Sequence, residues 1–368
     1  METDTIHVHP AAGIDTNAGA QDSPLRTLGE AARRVNQSAG AGAMTIVLAE
    51  GIYALAETIL FKPEHRTFSR EARLTIRAET LPDDPAWHTG RMPTLIATMP
   101  VPTMWNGKVD ASGGAADGIM VETSHVSILG LKFLGLPVVE SPQPGLIRRL
   151  YAISRLRRDL EDLEIGHCLF AGEETTTPLH VGIIAHGNGV DVHHCLFRGL
   201  KISVVYWSGG SSGHAMRHCI SDSLYGSAIW TCGIADDFVY RNNVVVNGNY
   251  VWTYQSGVSA AADARGGGAE QTGSLPAAPQ ADNHYKVVAS LFARNRTLTG
   301  SGTGARLGYA DIDSTFLELV ETTVSDQSVA MERDQTQRNY LHPVAGSAAA
   351  QIGAGLFRNS PDRSDFVA

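Results

Sequence analysis

An eight-residue block returns through the middle of the chain at a nearly constant interval. It occupies residues 126–133 (VSILGLKF), 163–170 (LEIGHCLF), 190–197 (VDVHHCLF), 214–221 (HAMRHCIS), 238–245 (FVYRNNVV) and 285–292 (YKVVASLF). The equivalent positions Ile165, Val192, Met216 and Tyr240 are 27, 24 and 24 residues apart. Internal self-similarity of this kind points to a stacked architecture, because one repeat cannot bury its apolar face alone. A second strand-like piece accompanies the central copies, at residues 182–186, 203–207, 228–232 and 250–254. Two or three short strands per repeat, with no helical stretch between them, fit one coil of a β-solenoid whose coils pair through parallel ladders. The Leu-x-x-Leu-x-Leu and Asn pattern of a leucine-rich horseshoe is missing.

Composition agrees. Charged residues make up 18% of the 368, hydrophobic residues 43%, and glycine reaches 38. Average soluble domains carry about 25% charge and about 7% glycine, so this balance favours short strands and tight turns. It excludes disorder, collagen and coiled coil. Near the start, Thr27-Leu-Gly-Glu30 reads as a capping box, and Leu28, Ala31, Ala32 and Val35 form one apolar stripe. The spacing predicts a helix over 27–36 that covers the N-terminal end of the solenoid. Strand-like pieces follow at 45–48, 58–61, 74–77 and 94–98. The chain reads as a single domain over 1–368, with loop insertions at 82–117, containing Trp87 and Trp105, and at 255–283, rich in Ala, Gly, Ser, Gln and Pro.

Residues 7–13 (HVHPAAG), Asp15, Asn17, Gly19, 23–28 (SPLRTL) and 51–53 (GIY) resemble the opening of bacterial right-handed parallel β-helix proteins of the pectate-lyase-like superfamily. Residues 340–347 (YLHPVAGS), through Gly353, are similar to the closing segment of many of them. The resemblance implies an all-β right-handed parallel β-helix and a carbohydrate partner, either polysaccharide or oligosaccharide. It leaves the reaction open among lyases, glycosidases, epimerases, esterases and tailspikes. It admits calcium, which acidic loops of related lyases hold, although no ligand spacing here marks a site.

Charge narrows the partners. The sum of 29 Lys+Arg and 38 Asp+Glu gives −9, and nothing resembles a basic stripe able to neutralise many phosphates, so nucleic acid is not expected. The densest basic run, Arg148, Arg149, Arg155, Arg157 and Arg158, precedes Asp159, Glu161, Asp162 and Glu164 and reads as a self-compensating surface. No apolar run is long enough to span a membrane. The first residues lack the regions of a signal peptide. The expectation is a secreted or periplasmic protein whose leader has been removed, with a cytoplasmic place as the alternative.

Cys168, Cys195 and Cys219 recur at one repeat position and read as an interior ladder. His167, His194 and His218 form a column beside them, with Asn242 next. Zinc needs ligands converging on one point, whereas a column spreads them along an axis, so no metal is assigned. On the second strand of each coil, period-2 alternation with Ile183, Val204, Ile229 and Val251 inward sends Trp207, Trp230, Tyr250, Trp252 and Tyr254 outward. These would form an aromatic wall for sugar rings, with His180 beside it. Lyase chemistry on a uronic glycan needs a base and a cation for the developing enolate-like charge. With Ile202 and Val204 inward, alternation points Lys201 and Ser203 outward, and Lys201 leads as base. Arg198, His186, Tyr225 and Asp222 are its candidate partners. Hydrolysis would instead need a carboxyl pair, drawn from Glu173, Glu174, Asp222, Asp236 and Asp237. A non-catalytic glycan-binding or tailspike-like protein is the third reading.

Overall fold

Each copy of the repeat makes one turn of a coil and gives one strand to each of three sheets. The computed structural model describes residues 4–99, 104–105, 108–109, 115–136, 149–207, 210–255, 283–302 and 309–358. The first sheet has ten strands, from Asp4–Val8 to Leu317–Val320; the second has nine, from Ile52–Leu55 to Thr323–Ser325. The third also has nine, eight parallel strands from Ile59–Phe61 to Thr297–Gly302 and then Tyr309–Asp311, its one antiparallel pairing among the described residues. The chain is a right-handed parallel β-helix. Its register follows the repeat: Ile165 pairs with Val192, Val192 with Met216, and Met216 with Tyr240.

The interior is a set of columns. Phe133, Phe170 and Phe197 stack with centroids 4.9 and 4.8 Å apart and planes within 7°, close to the spacing of neighbouring strands. The turn from the first to the second sheet has three residues between Leu48 and Ile52 and fifteen between Ala78 and Thr94, and from Val126 onward every coil makes it in two residues. The first lies in the left-handed region in coil after coil: Gly130, His167, His194, His218, Asn242, Ala289 and Glu321. That conformation is uncommon for side chains larger than glycine, and here the six positions from Gly130 to Ala289 are each held by a backbone bond to the next coil, as His194 N–H donates to Arg217 O at 3.1 Å. The second corner residue points inside. Cys168, Cys195 and Cys219 are buried free thiols there, continued by Asn243, whose Oδ1 accepts from Cys219 N–H at 2.9 Å.

The helix Leu28–Gln37 buries Leu28, Ala31, Ala32 and Val35 against the N-terminal coil. Thr27 Oγ1 accepts from Glu30 N–H at 3.2 Å. The other half of the expected box is different: Thr27 N–H donates to Asp15 Oδ1 at 2.8 Å, and Glu30 binds Arg33 and Arg34. Within 82–117, Thr94–Ala97 and Ala115–Val121 are strands of the second and third sheets. Trp87 is buried edge-on against Phe357, centroids 5.2 Å apart. Positions 100–103, 106–107, 110–114 and 256–282 of the two expected insertions lie outside the described residues. No helix among the described residues is long and apolar enough to cross a membrane.

The outer side of the second sheet is closed. Leu169, Leu196, Ile220, Val244 and Leu291 are covered by Met331, Tyr340, Leu341, Leu356 and Phe357 of the C-terminal segment. Arg155 departs from the expected solvated surface. It is fully buried, and its guanidinium donates to His186 O at 2.7 Å and Asn188 O at 2.8 Å. Burial lowers its pKa to about 10, against the opposing pull of Asp162 and Glu161.

Candidate functional site

The proposed aromatic wall depends on strict alternation, and the third-sheet strands break it. Ser227 pairs with Tyr250 and Ile229 with Trp252, with no pair at Ala228 and Val251. At this kink two successive residues face inward. Trp252 therefore falls in line with Ile229, Val204 and Ile183 and is sealed in the core, 0% exposed. Its Nε1–H donates to Thr231 Oγ1 at 2.8 Å, and its ring stacks on Tyr285 at 5.2 Å. Tyr254 is also inside, tilted against Phe316 at 5.1 Å. A one-residue change of parity carries a side chain to the other face, which is why both expected placements are corrected.

Trp207 and Trp230 do lie together outside, edge to face at 5.5 Å. Trp230 is partly exposed and Trp207 is buried to 8%. Tyr250 lies in line with Ser227 and Ile202 and is covered by Arg296, whose guanidinium sits 4.5 Å above its ring. Its hydroxyl donates to Asp311 Oδ1 at 2.8 Å, and burial followed by that bond raises its pKa to about 12. His186 is fully buried at the far end of the strand, level with Trp207. Among the described residues neither of its ring nitrogens has a hydrogen-bond partner. Burial, then Arg158 and Arg155, push its pKa down to about 4, so it is neutral at physiological pH.

The kink also reverses the parity assumed for Lys201. Ile202 packs on the outer side with Val181 and Val205, while Ser203 turns inward, its Oγ 3.0 Å from Ser221 Oγ. Lys201 sits in the corner between the second and third sheets, 7% exposed. Its stem lies against Gly226, where a Cβ would come within 2.8 Å of Lys201 Cγ and 2.4 Å of its carbonyl oxygen. Lys201 N–H donates to His180 O at 3.1 Å, so His180 and Lys201 occupy the same corner in consecutive coils.

Tyr225 belongs to the next coil at that corner, its N–H donating to Leu200 O at 3.1 Å. Burial, then the nearby Glu174 and Glu173, raise its pKa well above the usual value and keep the phenol protonated. Arg198 and Asp222 face each other on adjacent strands at 3.8 Å. Asp222 is 1% exposed and also pairs with Arg333 from the C-terminal segment. Burial pulls its carboxyl upward, but Arg333, Asn247 and Ser223 outweigh this and hold it low. Arg198 donates to Tyr340 Oη at 3.1 Å. Lys201, His180, Tyr225, Arg198 and Asp222 thus share one corner region, whereas His186 and Trp207 lie toward the far end of the third sheet.

Two of the other carboxylates, Glu173 and Asp237, hold local turns. Glu173 Oε2 accepts from Thr175 and Thr176, backbone and hydroxyl, and these bonds bring its pKa to about 2. Asp237 Oδ2 accepts from Gly213 N–H at 2.8 Å. Glu173 and Asp222 are shifted in the direction opposite to that of a proton-donating acid.

A polar cluster that the sequence reading set aside lies on the first sheet. Glu164 Oε2 accepts from Ser127 Oγ at 2.6 Å, and Glu164 Oε1 is 3.1 Å from His193 Nε2. The His193 bond, opposed by burial and aided by Ser127, brings Glu164 to about 2. Arg73 adds a bond to Ser127 Oγ at 2.7 Å and pairs with Asp162. Beside this cluster His167, His194 and His218 stack face to face, at 5.1 and 4.8 Å. Burial, partly offset at His167 by its bond to Leu356 O, lowers His167 to about 4; burial and neighbouring imidazoles lower His194 to about 2. The signal for this cluster was the His193–His194 doublet, whose two rings leave the chain on different sides of a corner.

No protein-family model matches the chain, and no curated protein matches it. Solved structures do. A rhamnogalacturonan lyase is 13% identical, covering 80% of this chain and 69% of its own, with a TM-score of 0.45. A GH136 lacto-N-biosidase from Eubacterium ramulus is 9% identical over 88% of this chain and 68% of its own, TM-score 0.48. A pectin methylesterase from Erwinia chrysanthemi is 9% identical over 90% and 92%, TM-score 0.45. Likeness at this level carries no argument about chemistry, and the fold rests on the chain's own three sheets.

Proposed function

We propose that the chain is a carbohydrate-active enzyme that cleaves a uronic polysaccharide by β-elimination, with its reactive centre at the corner carrying Lys201. One observation carries the reading: Lys201 and Tyr225 come from consecutive coils to the same corner, with Arg198 on the adjoining strand. In the step, Lys201 takes the proton on the carbon beside the substrate carboxylate. The electron pair forms the new carbon–carbon double bond, and the bond to the glycosidic oxygen breaks. Tyr225, kept protonated by burial and by Glu174 and Glu173, supplies the proton to the leaving oxygen. Arg198 offsets the charge that builds on the carboxylate. Trp230, partly exposed and backed by Trp207, offers an aromatic face to sugar rings farther along the sheet. The same reading places the protein outside the cytoplasm, secreted or periplasmic.

The test is a panel of uronic polysaccharides followed by ultraviolet absorbance of the unsaturated product. The protein should generate that absorbance, and Lys201→Ala should lower turnover by roughly 10²–10⁴-fold, the share of a positioned base, with its unfolding midpoint little changed. Reducing ends without absorbance would replace elimination by hydrolysis. Retention of glycans in affinity gels without cleavage would leave a binding module.

A further inference from the structure

We propose that His167, His193 and His194 form a binding site for one divalent transition-metal ion of the zinc type. One ring nitrogen from each lies within 4.8 Å of the others, and all three side chains are buried. His193 Nδ1 and His194 Nδ1 are 3.1 Å apart. Two nitrogens bound at about 2.05 Å on a tetrahedral ion are about 3.3 Å apart, so this pair already has the spacing of two ligands. The widest pair must close by about 1.5 Å to reach the same spacing, a movement of one imidazole.

A column of stacked rings cannot converge on a point. His193 supplies what the column lacks, because it comes from the strand before the corner and meets both stacked rings edge-on, at 5.3 Å from each. Its ring lies over Gly166, where a Cβ would be 2.3 Å from His193 Cε1; only glycine leaves the ring this place. Glu164 at 3.1 Å from His193 Nε2 holds a proton on that nitrogen and leaves Nδ1 with a lone pair. A carboxylate behind a metal-binding histidine is the usual outer arrangement of such sites. His167 Nδ1 faces Leu356 O at 2.5 Å, which leaves its Nε2 as the bare nitrogen.

The chemistry of the donors selects the ion. Three imidazoles without a thiolate suit zinc, nickel or copper and not calcium, which takes oxygen ligands. Cys168 and Cys195 are turned into the coil, where their thiols donate to Gly166 O and His193 O. Bound at the three histidines, the ion would join two successive coils and, through Leu356 O, the C-terminal segment.

The experiment uses the full chain without an affinity tag, stripped with a chelator and titrated with zinc chloride at neutral pH by calorimetry, with metal content measured after dialysis. One zinc per chain and a rise in the unfolding temperature are expected. His193→Gln and His194→Asn should each weaken binding at least about tenfold. The second places at the corner the residue that Asn242 already provides two coils further on, so its fold is preserved. His218→Asn, at the same corner but outside the cluster, should bind zinc as the parent does. The proposal is overturned if no zinc is retained, if His193→Gln and His194→Asn bind it unchanged, or if His218→Asn weakens binding as much as they do. None of these outcomes depends on whether Lys201 is a base.

Discussion

The corner between the first and second sheets and the corner between the second and third use the same backbone device for different ends. Both turn through a left-handed residue: His167, His194, His218 and Asn242 at the first, Gly199, Ser223, Asn247 and Arg294 at the second. In the coils from Leu163 to Ser325 the first turn is two residues long, its inner position holds Cys, Asn, Ser or Thr, and the C-terminal segment seals it through Leu356 O and Gly353 O. In the same coils the second turn varies from three residues, between Arg198 and Ile202, to nine, between Ala171 and Val181. Its last position changes from His180 to Lys201, Gly226 and Asn249. Repetition marks architecture, because each ladder position must fit the coils on both sides. Change from coil to coil marks a place where one side chain is free to carry chemistry.

The largest effect should come from the architecture. Phe197→Ala, which breaks the stacked interior column, is expected to cost about 3–5 kcal/mol, read as a lowered urea midpoint; a loss below 1 kcal/mol would mean that the column does not carry the fold. Gly226→Ala tests the variable corner. Its new methyl meets the Lys201 carbonyl oxygen, and a contact with backbone should cost about 3 kcal/mol, the upper part of the overpacking range. A neutral result would show that this corner yields where the first cannot.

Acid should loosen the sealed corner. His342 Nε2 accepts from Leu356 N–H at 3.2 Å, and burial lowers its pKa to about 4. The unfolded chain, with histidine near 6.5, binds the proton first as pH falls. Stability is therefore complete above about 6.5 and declines from there towards 4. At pH 5 the share from this one imidazole is about 2 kcal/mol, measured by urea unfolding at both pH values. An unchanged midpoint would contradict the burial of His342. The smallest effect is reserved for His218→Asn, expected within about 1 kcal/mol, because asparagine tolerates the left-handed region.

The register of the first sheet was legible at every copy, from Val126 to Tyr285, since an eight-residue block fixes which residues stack. The third sheet was legible as strands and not as faces. Its kink at Ala228 and Val251 leaves no mark in composition, so alternation misplaced Trp252, Tyr254 and Ser203. Lys201 was found as the one lysine near the corner, but its neighbours Tyr225 and Arg198 are brought to it by coil stacking, not by spacing along the chain. His193 was not singled out beside the His167, His194 and His218 column, because its partner ring at His167 lies 26 residues away in sequence and one coil away in space.

Periodicity alone determined that this chain winds, where its coils begin and which thiols and phenyl rings line the interior, because each repeat can bury its apolar face only against a copy of itself. The tertiary structure decided which side of the third sheet each aromatic faces, that the second sheet is covered by the chain's own end, and that three imidazoles converge. Those outcomes depend on kinks and on contacts between distant segments, and a local pattern has no term for either.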